Sequence, residues 1–341
     1  MAITTIPWSD GSGDNIYVSA SSQTGTQTVS VSSDANTGAA RSQTVTFAAG
    51  AITRSLTVNQ EAGEITPNHD CLTFKSSGTN TIAVTCTGTA APVLYYSTNG
   101  TTWTLWDYSA ISISAGHPVF VYGDNASGFS TSDANYAKFT LGGTDSVTCE
   151  GSIATLINGT NSLTTIPCNY CFYYLFYNES KLVSCPSLPS TDLKSHCYRS
   201  MFYGTSIVTP PTLPATTLKT YCYAYMFYNC KAMTSCPELK ASTLQGRCYS
   251  NMFRGCTNIT MAPDLPSLTL VTQCYHYMFY GCSKLTRIKA MFTTTPSSSY
   301  TNYWVSGVAS SGTFTKNSAA TWNVTGTAGV PNGWTVQTAS S

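Results

Sequence analysis

The sequence predicts a mainly β, modular protein whose second half is a repeat solenoid ending in a C-terminal cap. Three observations carry this expectation. A hexad, Cys-Tyr-x-x-Met-Phe, recurs at a spacing of 25 to 26 residues. Upstream of it, short runs alternate polar and apolar residues, the period of a half-buried strand. Charged residues make up only 9% of the 341, against roughly 25% in ordinary domains, while 42% are hydrophobic. Such a chain buries a core and covers its outer faces with hydroxyls in place of charges.

Residues 1–63 read as a first β module. Strands are expected at 28–31, 44–47 and 55–58, with turn residues from Asp34 to Arg41 and a linker after Asn59. The loop Asn36-Thr-Gly-Ala-Ala-Arg41, the strand Thr44-Val-Thr-Phe47 and the closing Leu56-Thr-Val-Asn-Gln60 resemble the BACON domain. That resemblance implies an immunoglobulin-like β-sandwich, acting either as a structural spacer or in carbohydrate binding. It covers the later part of the domain, whose opening strands are missing or replaced by Trp8 to Asp14.

Residues 64–150 read as a second β module. Two strand-like runs flank Asn99-Gly100, a strong hairpin signal, and 111–116 and 118–122 supply a turn and a further strand. Trp103 and Trp106 are three apart, so on a strand they face opposite ways. One belongs to the core and the other to the surface or a module contact, with a sugar-stacking platform as the functional alternative.

Residues 151–292 hold five repeats. Their marks are Cys171-Phe-Tyr-Tyr-Leu-Phe176, Cys197-Tyr-Arg-Ser-Met-Phe202, Cys222-Tyr-Ala-Tyr-Met-Phe227, Cys248-Tyr-Ser-Asn-Met-Phe253 and Cys274-Tyr-His-Tyr-Met-Phe279. Leu193, Leu218, Leu244 and Leu270 each stand four before a Cys, and a polar turn follows each hexad. Leu, Cys and Met at this spacing lie on one helical face, so each unit is expected to be a helix-like turn followed by a Pro-flanked extended segment. No unit buries its apolar face alone, and neighbours must stack. These marks resemble the BspA-type leucine-rich repeats, which implies a leucine-rich-repeat solenoid. Glu179 and Thr205 depart from it, standing where later repeats have a loop Cys. Residues 293–341 lose the repeat, and short strands around Trp304, Trp322 and Trp334 are expected to cap the last one.

The chemistry of enzymes is missing from the motifs. There is no phosphate-binding Gly-rich loop, no Gly-x-Ser-x-Gly elbow and no His-Glu-x-x-His, so no enzyme and no cofactor are expected. Cys168-x-x-Cys171 stands alone without a second pair, which argues against structural zinc. Asp10-Gly-Ser-Gly-Asp14 reads as a polar turn, with weak calcium binding as the sharper alternative. Most of the 14 Cys lie in register inside the repeats, so free buried thiols are expected over disulfides. With 16 basic residues scattered among 15 acids and a net charge of +1, nucleic acid is not an expected partner. No apolar run approaches the ~20 residues of a membrane span. Met1 to Trp8 carries no signal-peptide pattern, so residence in the cytoplasm of a host, or release by lysis, is expected.

The recurring Tyr198, Tyr223, Tyr249 and Tyr275 are assigned to packing. Positions that vary between repeats are assigned to the surface: Arg199, Tyr225, Asn251 and Tyr277 in the turn, and Tyr203, Tyr228, Arg254 and Tyr280 after it. Aligned on successive repeats they form either a strip for glycans or a protein partner, or a plain wetted surface. The whole arrangement resembles reading frames of phages infecting Bacteroidales, including the crAss-like group. That resemblance implies a virion fibre, decoration or tail-associated protein, homo-oligomeric, whose partners are other virion proteins and host glycans. The alternative is a bacterial cell-surface adhesin of the BspA type.

Overall fold

The computed structural model describes residues 3–7, 15–20, 29–33, 41–49, 52–60 and 69–339. The fold is mainly β, and it divides into two compact units, Met1–Thr66 and Pro67–Ser341.

In the first unit β1 (Ile3–Pro7), β2 (Asn15–Ala20) and β3 (Val29–Ser33) form an antiparallel sheet in that order. A second sheet pairs β4 (Arg41–Ala49) with β5 (Ile52–Gln60). Alternation decides the faces. Val45 is buried, while Thr44 and Thr46 face outward and meet the hydroxyls of Thr57 and Ser55 at 3.4 and 3.1 Å. Ile16, Val18 and Val45 gather with Val31 and Val58 in one small core. Of the three strands read from sequence, 44–47 and 55–58 fall within β4 and β5, and 28–31 overlaps β3. β1 and β2 were not foreseen: two strands precede the three read from sequence. The segment 8–14, with its candidate calcium turn, and the loop 34–40 lie outside the described residues.

The second unit opens with eight strands. They are β6 (Leu72–Ser76), β7 (Asn80–Thr87), β8 (Leu94–Ser97), β9 (Thr104–Leu105), β10 (Ile111–Ile113), β11 (Val119–Gly123), β12 (Tyr136–Gly143) and β13 (Val147–Glu150). They make two antiparallel sheets, ordered β13-β6-β11-β8-β9 and β10-β7-β12. The expected hairpin joins β8 to β9, though through a longer loop in which Asn99 Oδ1 accepts the Thr101 and Thr102 N–H groups at 3.0 and 2.8 Å. Trp106 is buried beside Phe139, and Trp103 is half-buried against Tyr122 and His69, so the pair divides as its spacing requires. After a short helix α1 (Thr155–Asn158) the core runs without a break into the repeats: Phe139 stacks on Phe176 at 5.5 Å.

The hexads are not helical. In each repeat the N–H groups alternate between two destinations. In the first, Tyr170, Phe172, Tyr174, Phe176 and Asn178 donate to carbonyls of the next repeat at 2.7–3.3 Å. Tyr173, Leu175 and Tyr177 donate to the residue three before them, closing turns. Every fourth residue is left-handed, as at Tyr170, Tyr174 and Asn178, then His196, Ser200 and Gly204. The helix expectation fails because a chain of turns with a four-residue period places i and i+4 on one side as a helix does. The extended segments meet in parallel bridges such as Thr217↔Thr243 and Leu265↔Ala290. The last ones widen into a parallel sheet of β14 (Arg287–Ala290), β15 (Thr313–Lys316) and β16 (Thr335–Thr338).

The interior is a set of side-chain columns. Phe176, Phe202, Phe227, Phe253 and Phe279 stack at 5.6–5.8 Å. Tyr198, Tyr223, Tyr249 and Tyr275 stack at 5.8–5.9 Å, and all four are buried, as read from their recurrence. The loop Cys makes a polar contact as well as a packing one. Cys230, Cys256 and Cys282 each donate Sγ–H to the Phe carbonyl of the preceding repeat at 2.9–3.0 Å. The two departures bond elsewhere. Thr205 donates its hydroxyl to the Phe202 carbonyl, and Glu179 faces β12, where its carboxylate accepts the Leu141 N–H at 2.8 Å. All 14 Cys are free thiols.

The repeat does not end at 292. Tyr275, Tyr277, Phe279 and Gly281 donate to the carbonyls of Tyr300, Asn302, Trp304 and Ser306, and Tyr303 and Gly307 are left-handed. A sixth unit therefore spans 300–308, and a short helix α2 (Ser298–Thr301) leads into it and overlaps its first two residues. Trp304 occupies the Met slot, packs on Tyr275 and Phe279, and donates Nε1–H to the Gly329 carbonyl at 2.9 Å. Trp322 and Trp334 are buried beyond it.

Candidate binding face

The left-handed turns put certain side chains of successive repeats directly above one another. The residue before each Cys slot gives one column: Tyr170, His196, Tyr221, Arg247. His196 lies between the rings of Tyr170 and Tyr221 at 4.3 and 4.6 Å, and the Arg247 guanidinium follows at 5.2 Å from the Tyr221 ring, bonding its hydroxyl and the Gln273 amide oxygen. Six residues after the Cys slot stands a second column: Tyr177, Tyr203, Tyr228, Arg254, Tyr280. Its rings stack at 4.7 Å and 4.5 Å before Arg254, whose guanidinium sits 5.4 Å from Tyr228 and 4.6 Å from Tyr280.

Between these columns run Tyr174, Tyr225, Tyr277 and Tyr303, all left-handed. Arg199 bridges the columns, 5.3–5.9 Å from the rings of Tyr173, Tyr221 and Tyr225. Arg254 also covers Tyr277 at 4.8 Å, and Tyr277 stacks on Tyr303 at 5.2 Å. The face is thus continuous from the first repeat to the sixth. Tyr203 and Tyr228, and Tyr277 and Tyr303, stack flat on one another, while Tyr225 with Tyr228 and Tyr277 with Tyr280 are tilted, so the face mixes ring edges, phenol oxygens and guanidinium N–H groups.

Crowding sets the protonation states. Burial, with the Arg199 charge adding, lowers His196 to about 4, against an opposing pull from Asp133. Burial and the charges of Arg247 and Arg254 lower His276 as well. Tyr203 is pushed up to about 12 by burial and by neighbouring Tyr228 and Tyr177. His196 and Tyr203 are therefore both uncharged at neutral pH.

All seven residues chosen from the sequence, Arg199, Tyr203, Tyr225, Tyr228, Arg254, Tyr277 and Tyr280, stand on this face. Tyr280 is exposed and the other six are half-buried. Asn251 is the correction: it is buried, and its Oδ1 accepts from Arg254 at 3.3 Å, holding the guanidinium from beneath. The column Tyr170, His196, Tyr221, Arg247 was missed, although its signal is plain, since the residue before each Cys changes from repeat to repeat while the Cys does not. Tyr303 was missed because its repeat was.

Other chemistry is sparse. Cys168 donates to the Ser130 carbonyl at 3.2 Å, and among the described residues no three His, Cys, Asp or Glu converge as a metal set would. No helix among the described residues is long and apolar enough to cross a membrane. No protein-family model, no curated protein and no solved structure matches the chain.

Proposed function

We propose that the protein is a non-enzymatic adhesion and structural protein that uses this face to hold a host glycan or a neighbouring protein. The observation that carries it is the alignment of variable, half-exposed Tyr, His and Arg on successive repeats over a core whose slots recur. Packing accounts for the repeated residues; it gives no reason for a row of Arg between Tyr on the outside.

In this reading the stack is a leucine-rich-repeat solenoid of the BspA kind, closed at one end by the sheets of 69–150 and at the other by Trp304, Trp322 and Trp334. The first unit is a BACON-like sandwich that docks or spaces. The resemblance to Bacteroidales phage reading frames makes the protein a virion component, homo-oligomeric, which mass spectrometry of purified virions checks; recovery from a bacterial surface fraction would favour the adhesin. The face itself is tested by Tyr228→Ser with Tyr280→Ser. Binding to glycans or host cells is expected to fall at least tenfold with the circular-dichroism spectrum unchanged, and undiminished binding by the folded variant sinks the proposal.

A further inference from the structure

The charges of the chain are not evenly spread. Residues 171–308 carry 11 Lys and Arg against 4 Asp and Glu, an excess of seven positive charges in a chain of net charge +1. All four acids are engaged elsewhere. Glu179 accepts the Leu141 N–H, Asp192 pairs with Lys194, Glu238 with Lys240 and Asp264 with Lys289. Arg199, Arg247 and Arg254 form no ion pair among the described residues. Asp133 is the carboxylate whose charge is felt on the face, at its first-repeat end.

A guanidinium held over aromatic rings leaves edge N–H donors beyond those its neighbours take, here one on Arg254 to Asn251 and two on Arg247 to Gln273 and Tyr221. The remaining edge matches carboxylate or sulfate oxygens. Arg254 is preset for this by three rings and the buried Asn251. Arg199 has a buried Nε–H with no protein partner. Two repeats separate Arg199 from Arg247, roughly 9–10 Å at the spacing of hydrogen-bonded strands, which is on the scale of one disaccharide.

Resting on the reading that this face binds a ligand, we propose that the ligand is an acidic polysaccharide whose carboxylate or sulfate groups are taken by Arg199, Arg247 and Arg254. Neutral sugars are recognised largely by stacking on open ring faces, and here most of those faces are covered by a neighbouring ring or guanidinium, with Tyr280 and Tyr303 the exposed exceptions. Nucleobases would need the same open faces. A protein partner would need an apolar anchor pocket, whereas these columns present phenol and guanidinium edges.

Biolayer interferometry on the full chain tests this with polygalacturonate and chondroitin sulfate, against methyl-esterified polygalacturonate and dextran, with oligothymidylate and polyglutamate as non-sugar polyanions. Binding to the acidic glycans, weakened by salt, is expected. Arg247→Gln and Arg254→Gln should each reduce it about tenfold, and Lys240→Gln should leave it unchanged. Equal binding of charged and neutral glycans, lost in Tyr228→Ser but not in the Arg variants, would overturn the acidic ligand and keep the face. Tighter binding of oligothymidylate or polyglutamate would overturn the sugar. Retention of none of these by the folded protein would bring down both readings.

Discussion

Two aromatic columns share the core, and their members carry different weights. Phe227 is sealed between Phe202 and Phe253 at 5.8 and 5.7 Å, so Phe227→Ala opens a cavity that neighbouring repeats cannot fill. It should cost about 3–5 kcal/mol, read as a shift in the urea unfolding curve. Tyr223 is as deeply buried, but its hydroxyl has no protein partner. Tyr223→Phe removes that desolvated group and keeps the ring, so stability should hold or rise by up to about 1 kcal/mol. A loss larger than that would mean the hydroxyl is bonded through ordered water. The recurring Cys-Tyr-x-x-Met-Phe made this core readable from sequence, since a slot occupied by the same apolar residue in repeat after repeat, at 197, 222, 248 and 274, has one environment. The left-handed slots before and within the hexad were unreadable, because they hold mostly Tyr, His, Ser, Arg and Gln, none of which announces a positive φ.

At the scale of one repeat, the turn after the hexad is the element most tightly specified. Its left-handed position holds Asn178, Gly204, Asn229, Gly255, Gly281 and Gly307, the residue types that tolerate that region best. A Cβ on Gly255 would lie 2.1 Å from Asn229 Oδ1 in the neighbouring repeat. Gly255→Val should therefore destabilise by about 1–3 kcal/mol or more. Gly246, outside the left-handed region and with only the Thr272 carbonyl at 3.7 Å, is the control. Gly246→Ala should be neutral or stabilising by about 0.4–1 kcal/mol. Thermal melts of the two variants measure the contrast, and similar melting points would refute this account of the turn. The sixth repeat escaped the sequence for a related reason. Tyr300, Trp304 and Val305 replace Cys, Met and Phe, so only the spacing from Gly281 to Gly307 survives.

For the molecule as a whole, buried thiols tie stability to pH. Burial lifts Cys197 and Cys230 to about 12 and Cys274 to about 11. These groups are protonated in the fold, while an unfolded thiol ionises near pH 8.5. Their contribution is complete below that value and is lost as pH rises through the folded values. His196 acts with the opposite sign. Neutral in the fold down to about 4, it is protonated near pH 6.5 when unfolded, so its stabilisation is present above 6.5 and lost as pH falls toward 4. Urea midpoints should be flat between roughly pH 7 and 8 and fall on both sides. His196→Gln should flatten the acid limb, and an acid limb unchanged by this substitution would remove His196 as its cause.

By itself the sequence determined that the protein is mainly β and that five repeats share one set of buried slots, filled by Cys, Tyr, Met and Phe in four of them and by Cys171, Phe172, Leu175 and Phe176 in the first. It also marked out Arg199, Tyr203, Tyr225, Tyr228, Arg254, Tyr277 and Tyr280 as outside that set. These follow from which residues recur and which vary, and recurrence is a property of the sequence. Only the tertiary structure decided that the hexads are chains of turns, that a sixth repeat follows, and that Tyr and Arg from different repeats sandwich one another. Those outcomes depend on hydrogen bonds and ring contacts between residues about 25 apart, and a four-residue spacing does not distinguish a helix from left-handed turns until the neighbouring repeat is in place.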